Sequence, residues 1–194
     1  MGSARTGDHR STTLRARLAG ALLMAAIPLL AVAPPAHALE LRGQTYFTSP
    51  PWKVDFRNYY PYENEGGAEY YFTIELSGKA GAPLGGLQIQ QTRGVDRSFG
   101  FDLVQSRAFL GLPRREGAPV PVAVSFDQDK RLFLVTFPQP LPPGTTFTLA
   151  LRPYRNPSQA DTYMFQVTAF PAGPDPVASP VGFATMPIYE PVRF

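Results

Sequence analysis

The chain has 194 residues, with 18 Lys or Arg against 15 Asp or Glu, a formal charge of +3, no cysteine, and two histidines at positions 9 and 37. Everything from Leu39 onward therefore lacks thiol and imidazole alike, which excludes disulfides, zinc clusters, histidine-ligated haem or copper, cysteine nucleophiles and Ser-His-Asp triads from that portion. Arg5, Arg10, Arg15 and Arg17 against Asp8 account for the whole charge excess, so residues 39–194 are formally neutral and have no long-range field to draw in a polyanion; a nucleic-acid partner is not expected.

Residues 1–38 have the layout of a signal peptide. A basic head precedes an apolar run from Leu18 to Ala33, which Pro34-Pro35 closes, and the small-residue tail Ala36-His37-Ala38 suits a signal peptidase pocket. Cleavage is expected after Ala38; the rival cut after Ala33 would leave Pro34 first, where its ring fits an extended protease substrate poorly. Sixteen apolar residues interrupted by Pro28 fall short of the roughly 20 that cross a bilayer as a helix, which disfavours a retained anchor. Neither a twin-arginine pair nor a lipoprotein cysteine is present. The expectation is a cleaved leader and one secreted or periplasmic domain, residues 39–194, with no stable membrane insertion after cleavage.

Beyond the leader, period-2 runs closed by Gly, Pro or Asp/Asn turns predict strands. A first short candidate covers 41–48. Residues 49–67 then read as a long aromatic loop, with a short strand near 53–56. The clearest strand is 68–77, where Tyr70, Phe72, Ile74 and Leu76 point one way and Glu69, Tyr71, Thr73 and Glu75 the other. Candidates follow at 87–91, 99–104, 120–126 (Val120, Val122, Val124, Phe126), 133–137, 147–151 and 163–167, and at Val181 with Phe183, for about nine strands in all. Gly78, Gly81, Gly85-Gly86, Gly94, the turn 127–130, Pro142-Pro143-Gly144 and Asn156-Pro157 punctuate them, and 171–180 reads as a polyproline-like connector. No stretch is long and periodic enough to supply crossover helices, so the sheets should be antiparallel. The expected fold is all-β, an antiparallel two-sheet immunoglobulin-like sandwich, with a β-barrel as the alternative.

A family resemblance begins at Ala68-Glu69-Tyr70-Tyr71-Phe72-Thr73-Ile74-Glu75-Leu76 and continues through Ala80-Gly81-Ala82-Pro83-Leu84, Ile89-Gln90-Gln91, Phe101-Asp102-Leu103 and Arg107-Ala108-Phe109. It then takes in Pro142-Pro143-Gly144-Thr145-Thr146, Ala150-Leu151-Arg152-Pro153, Asn156-Pro157 and Thr168-Ala169-Phe170-Pro171-Ala172-Gly173. The chain resembles a family of exported cyanobacterial proteins with a single uncharacterised domain. That resemblance implies export and one β-rich domain, and it transfers no catalytic residue. Residues 49–67 resemble the family least.

The aromatic loop supplies the candidate ligand site. Trp52, Tyr59, Tyr60 and Tyr62 could stack on sugar faces, with Glu63, Asn64 and Glu65 nearby for hydroxyl contacts; the competing reading is that these rings cap the open end of the sandwich. Asp127 and Asp129 offer oxygens to calcium, but Asp-x-Asp before Lys130-Arg131 is ordinary turn chemistry, and no metal or other cofactor is expected. Histidine-free catalysis would need paired carboxylates, from Glu63, Glu65, Glu69, Asp96 and Asp102, or a Ser-Lys arrangement using Lys53, Lys79 or Lys130. Arg93, Arg97, Arg114, Arg115, Arg152 and Arg155 could clamp an anion; surface pairing is the simpler expectation, with Arg155-Asn156-Pro157 the segment best placed to fix a loop internally. The functional expectation is a non-enzymatic extracytoplasmic domain that binds an envelope protein or a polysaccharide. The alternatives are a carboxylate-based glycoside hydrolase and a structural envelope component pairing through an exposed edge strand.

Overall fold

A computed structural model describes residues 39–191; the leader and its cut after Ala38 lie outside the described residues. In chain order the strands are β1 (Leu39–Leu41), β2 (Gln44–Tyr46), β3 (Val54–Arg57), β4 (Tyr70–Glu75), β5 (Leu84–Arg93), β6 (Phe101–Leu112), β7 (Arg115–Val120), β8 (Ala123–Asp127), β9 (Leu132–Leu141), β10 (Thr146–Pro153), β11 (Asp161–Pro171) and β12 (Ser179–Ile188). They form two five-stranded sheets, ordered β3-β4-β10-β6-β7 and β12-β11-β5-β9-β8, and a separate β1-β2 hairpin. Every ladder is antiparallel. Both large sheets keep open edges, so the fold is the expected two-sheet sandwich and no barrel closes.

The core is the pair of inner faces. Tyr70, Phe72 and Ile74 of β4 and Phe147, Leu149 and Leu151 of β10 meet Ile89, Phe133, Val135, Phe165 and Val167 of the other sheet, all but fully buried. Each such side chain contributes about 1.5–3 kcal/mol on leaving water. Edge-to-face rings join the sheets, with Phe72 and Phe165 centroids 5.9 Å apart and Phe101 and Phe133 4.6 Å apart.

Several sequence expectations are corrected. The run 120–126 is two strands: Val120 ends β7 in one sheet and Ala123 begins β8 in the other. Pro121 between them has no N–H for a ladder, so the chain changes sheet there. Gly85-Gly86 is no turn and lies inside β5; a β-carbon on Gly86 would sit 2.7 Å from the Val135 carbonyl oxygen, so glycine permits close strand approach. Val181 and Phe183 do not share a face, since Val181 is buried and Phe183 is 54% exposed. A bulge around Gly182 (φ +141°) shifts the phase, and Ala184, Met186 and Ile188 become the buried set. The candidate 41–48 is a hairpin folded at Arg42 and Gly43, both at positive φ (55° and 81°), the pattern of a tight two-residue turn. The 99–104 candidate extends to Leu112, and β7 was missed because Gly117 and Pro119 obscure its alternation. The 171–180 connector is tied down: Ala172 N–H donates to Pro83 O at 2.8 Å and Val177 N–H to Thr45 O at 2.9 Å.

One departure from regular sandwich geometry shapes the surface. Thr73, Thr148 and Phe109 lie in one row on the outer face of the β3-containing sheet, yet all three are buried, as is Ala150 in the neighbouring row. The β6–β7 hairpin tip lies against this face. A register shift between Phe109 and Gly111 (φ +91°) bends β6 out of the sheet, and the Thr148 hydroxyl, on the outer face, donates to Gly111 O at 2.7 Å. Pro113-Arg114, with Arg114 at φ +64°, closes the hairpin as a proline-initiated turn with positive φ at its third position.

Candidate functional site

The overhanging hairpin makes one wall of a cleft on that outer face. Leu112 from its tip, Trp52 and Lys53 from the segment entering β3, Asp55 of β3, Thr73 and Glu75 of β4, Ser77 and Thr146 together line a space of about 290 Å³. Trp52 follows the buried Pro51 and is 81% exposed, so its indole stands at the cleft with most of its surface free. Asp55 pairs across the strands with Thr73, and Glu75 lies two residues further along β4. The period-2 rule therefore puts Asp55, Thr73 and Glu75 on one face. Asp55 also has the Arg57 guanidinium at 3.6 Å. A cleft of carboxylates, hydroxyls and an ammonium beside an indole can hydrogen-bond and stack on a polar ring.

The four predicted aromatics do not form one platform. Trp52 precedes β3 and Tyr59 follows it, and Tyr59, Tyr60 and Tyr62 are not among the residues that line the Trp52 cleft. Tyr59 leans on Tyr71 (centroids 5.8 Å apart) with the Arg114 guanidinium 3.8 Å from its ring centre, which fastens the hairpin tip to the far side of the sheet. The Tyr60 and Tyr62 rings are 49% and 42% exposed, while their carbonyls both accept from Asn156 Nδ2. Tyr62 also bridges Tyr189, and Glu63 N–H donates to Tyr189 O at 3.0 Å. Asn156, in the segment expected to fix a loop internally, is the residue that does so.

The acids singled out in sequence serve the fold. Glu63 accepts from Ala160 N–H, Glu65 from Tyr62 N–H and Asp102 from Gln105 N–H. Glu69 bonds Arg107 and the Tyr71 hydroxyl. Burial works to raise its pKa, but the bonds from Arg107 and Tyr71 outweigh it and hold the carboxyl below its usual value. Burial and the Glu69 carboxylate push Tyr71 up to about 12. Asp96 receives both N–H and hydroxyl of Ser98 and of Ser158, at 2.7–2.8 Å. Burial opposes its ionisation, yet the Ser158 and Ser98 bonds bring it down to about 2. Asp127 accepts from the backbone of Asp129 and Lys130 and pairs with Lys130 Nζ at 3.2 Å, a closed turn. Among the described residues no group of three His, Cys, Asp or Glu gathers to hold a metal ion. Lys53 lines the cleft, and Arg152 bonds the Gln105 side chain.

Sequence reasoning missed Arg131. Its side chain is 1% exposed and lies over Phe99, Phe126 and Phe101, at 4.3, 4.9 and 5.8 Å from their ring centres. Nε donates to Gln91 Oε1 at 3.0 Å and Nη1 to Phe99 O at 2.7 Å. Burial, and then the charge of Arg97, bring its pKa down to about 10. A turn pattern such as 127–131 gives no sign that its last cation points inward.

Fold and site together define an all-β, two-sheet antiparallel sandwich with a polar, tryptophan-flanked cleft on one outer face. Residues 44–188 match the family described as "Protein of unknown function (DUF2808)", and the chain belongs to that family. No curated protein matches. Solved structures similar to it include BslA, a bacterial hydrophobin (14% identity, TM-score 0.41, covering 71% of this chain and 96% of that one). Others are the collagen-binding domain of a Staphylococcus aureus adhesin (9%, 0.35, 63% and 87%) and a cohesin module from a Clostridium perfringens family 33 glycoside hydrolase (10%, 0.41, 73% and 98%). Among the described residues no helix is long and apolar enough to cross a membrane.

Proposed function

We propose that the chain is an exported, non-enzymatic envelope domain that binds polysaccharide in the Trp52 cleft. Residues 1–38 act as the export signal, removed after Ala38, and leave residues 39–194 as one domain in the periplasm or outside the cell. The basic head and apolar run of the leader support export, as does the resemblance to exported cyanobacterial proteins. The observation that carries the binding reading is an indole 81% exposed beside a cleft of hydroxyl and carboxylate groups. A tryptophan side chain has only two torsions to fix, so its ring loses little freedom on stacking against a sugar face.

A glycan array with the purified domain, paired with a pull-down from envelope extract, tests this. Binding on the array that Trp52→Ala abolishes supports the proposal. An envelope protein captured independently of Trp52, with an empty array, transfers the function to a protein partner and overturns the polysaccharide reading.

A second reading, a carboxylate-based glycoside hydrolase, draws on different acids from those expected. Asp55 and Glu75 share the cleft, and as diagonal cross-strand neighbours their β-carbons stand roughly 7 Å apart, close enough for the two carboxyl groups to flank one glycosidic bond. Reducing-end release by the wild type, lost in Glu75→Gln and Asp55→Asn, would establish it; binding without release removes it.

A further inference from the structure

The strand β10 starts beside the Trp52 cleft, at Thr146, and runs eight residues to Pro153, about 25 Å along the sandwich. Where it ends lies a second depression, of about 290 Å³, bounded by Tyr154, Arg155, Asn64, Ser98, Ser158 and Phe99. Tyr154 is 67% exposed, but its ring is not loose. Its N–H donates to Gly100 O at 3.0 Å, and a β-carbon on Gly100 would lie 3.3 Å from its Cδ2 and 3.5 Å from its Cε2. The ring is braced on bare glycine backbone and leaves the rest of its surface to solvent.

The polar groups beside it are oriented from below. Asp96 is 6% exposed, and the Ser98 and Ser158 hydroxyls donate to its two oxygens at 2.7 and 2.8 Å. With their hydrogens turned inward, both hydroxyl oxygens keep lone pairs for a donor from outside. Asn64 is placed by its N–H bond to Pro157 O at 3.0 Å and adds an amide donor and acceptor, and Arg155 adds guanidinium donors. Fixed acceptors, amide and guanidinium donors beside them and one braced ring within a small space match a ring molecule that carries many hydroxyls.

We propose that this depression is a second sugar subsite, taking one pyranose of a neutral, hydroxyl-rich polysaccharide with its face on Tyr154. It rests on the reading of the Trp52 cleft as a polysaccharide site and makes the domain bivalent: two subsites at opposite ends of β10 hold one polymer twice, or bridge two, and gain avidity from the linkage.

The test is aromatic NMR and calorimetry on the chain, titrated with short β-linked oligomers of glucose and of N-acetylglucosamine. One of these sugars should move the Tyr154 ring signals and the Trp52 indole signals, with two sugars bound per chain. Tyr154→Ala should weaken the second site about tenfold, ~1.4 kcal/mol, while Tyr154→Phe retains it and Trp52→Ala leaves it unchanged. Gly100→Val, which displaces the ring without removing it, should weaken it as Tyr154→Ala does; the urea midpoint of each variant shows that it is folded. Sugar that moves Trp52 alone overturns the second subsite and leaves the cleft reading standing. Sugar that moves Tyr154 alone overturns the cleft reading and the bivalency with it, leaving one site at Tyr154, and silence at both rings overturns both.

Discussion

The Tyr70 hydroxyl donates to Asn156 Oδ1 at 2.9 Å, and the same amide donates on its other side to the carbonyls of Tyr60 and Tyr62. A core tyrosine of β4 thereby sets the position of the Tyr60–Tyr62 segment through a side chain 86 residues further on in sequence. Both side chains are buried, so the hydroxyl and the amide have left water and must be paired.

Asn156→Ala should therefore destabilise the fold by about 3 kcal/mol, because it orphans a hydroxyl and two carbonyls, whereas Tyr70→Phe should lose about 1 kcal/mol. Urea unfolding at neutral pH measures both. In Asn156→Ala, amide exchange should rise selectively between Tyr60 and Glu65.

Acid should act through Asp96. Its folded pKa of about 2 lies below the ordinary 3.8, so its contribution, roughly 2 kcal/mol, is fully present above pH ~4. It is lost as pH falls through the folded value. Stability followed by urea midpoint from pH 5 down to about 1.5 should drop in that window, and Asp96→Asn should be less stable at neutral pH and flatter below it.

Arg131 carries a buried charge whose Nη2 has no hydrogen-bond partner among the described residues. Its other nitrogens satisfy Gln91 and the Phe99 carbonyl, and Gln91 Nε2 in turn donates to Asp96 O at 3.0 Å. Arg131→Lys should cost about 3 kcal/mol despite keeping the charge, since an ammonium cannot present the planar fork that reaches both acceptors and stacks on the rings. A double-mutant cycle of Arg131→Lys with Gln91→Ala should be strongly non-additive; additive losses would show that the two side chains act separately.

Gly86→Ala should lower stability by about 2 kcal/mol, because the new methyl carbon would meet the Val135 carbonyl oxygen at 2.7 Å in the adjoining strand. Thermal unfolding reads the loss. Gly78→Ala, where a β-carbon meets nothing within 4 Å, is the control and should stay near wild type.

Much of the architecture was legible because alternation is a local property. Tyr70, Phe72, Ile74 and Leu76 at every second position have one way to leave water together, and the same holds for Phe133, Val135 and Phe137. The absence of imidazole and thiol after residue 38 was equally plain, and so was the two-sheet class, whereas whether Trp52 caps the sandwich or faces solvent stayed open in the sequence. Less was legible wherever a single residue breaks the period. Gly182 reverses which side of β12 is buried, Pro121 sends the chain to the other sheet, and Gly111 folds a hairpin across a face that would otherwise meet water.

The cleft depends on that last bend, since Leu112 of β6 lines it together with Trp52 and Asp55 although β10 and β4 lie between β6 and β3 in the sheet. The same holds for the group at Tyr154, which draws on Asn64, Ser98 and Ser158. Period and composition thus decided which side chains turn inward, because burial depends on each residue's neighbours along its own strand. Which polar groups share a cleft was decided by long-range pairing and by a few positive-φ glycines, since bringing such groups together requires backbone contacts between segments far apart in the chain.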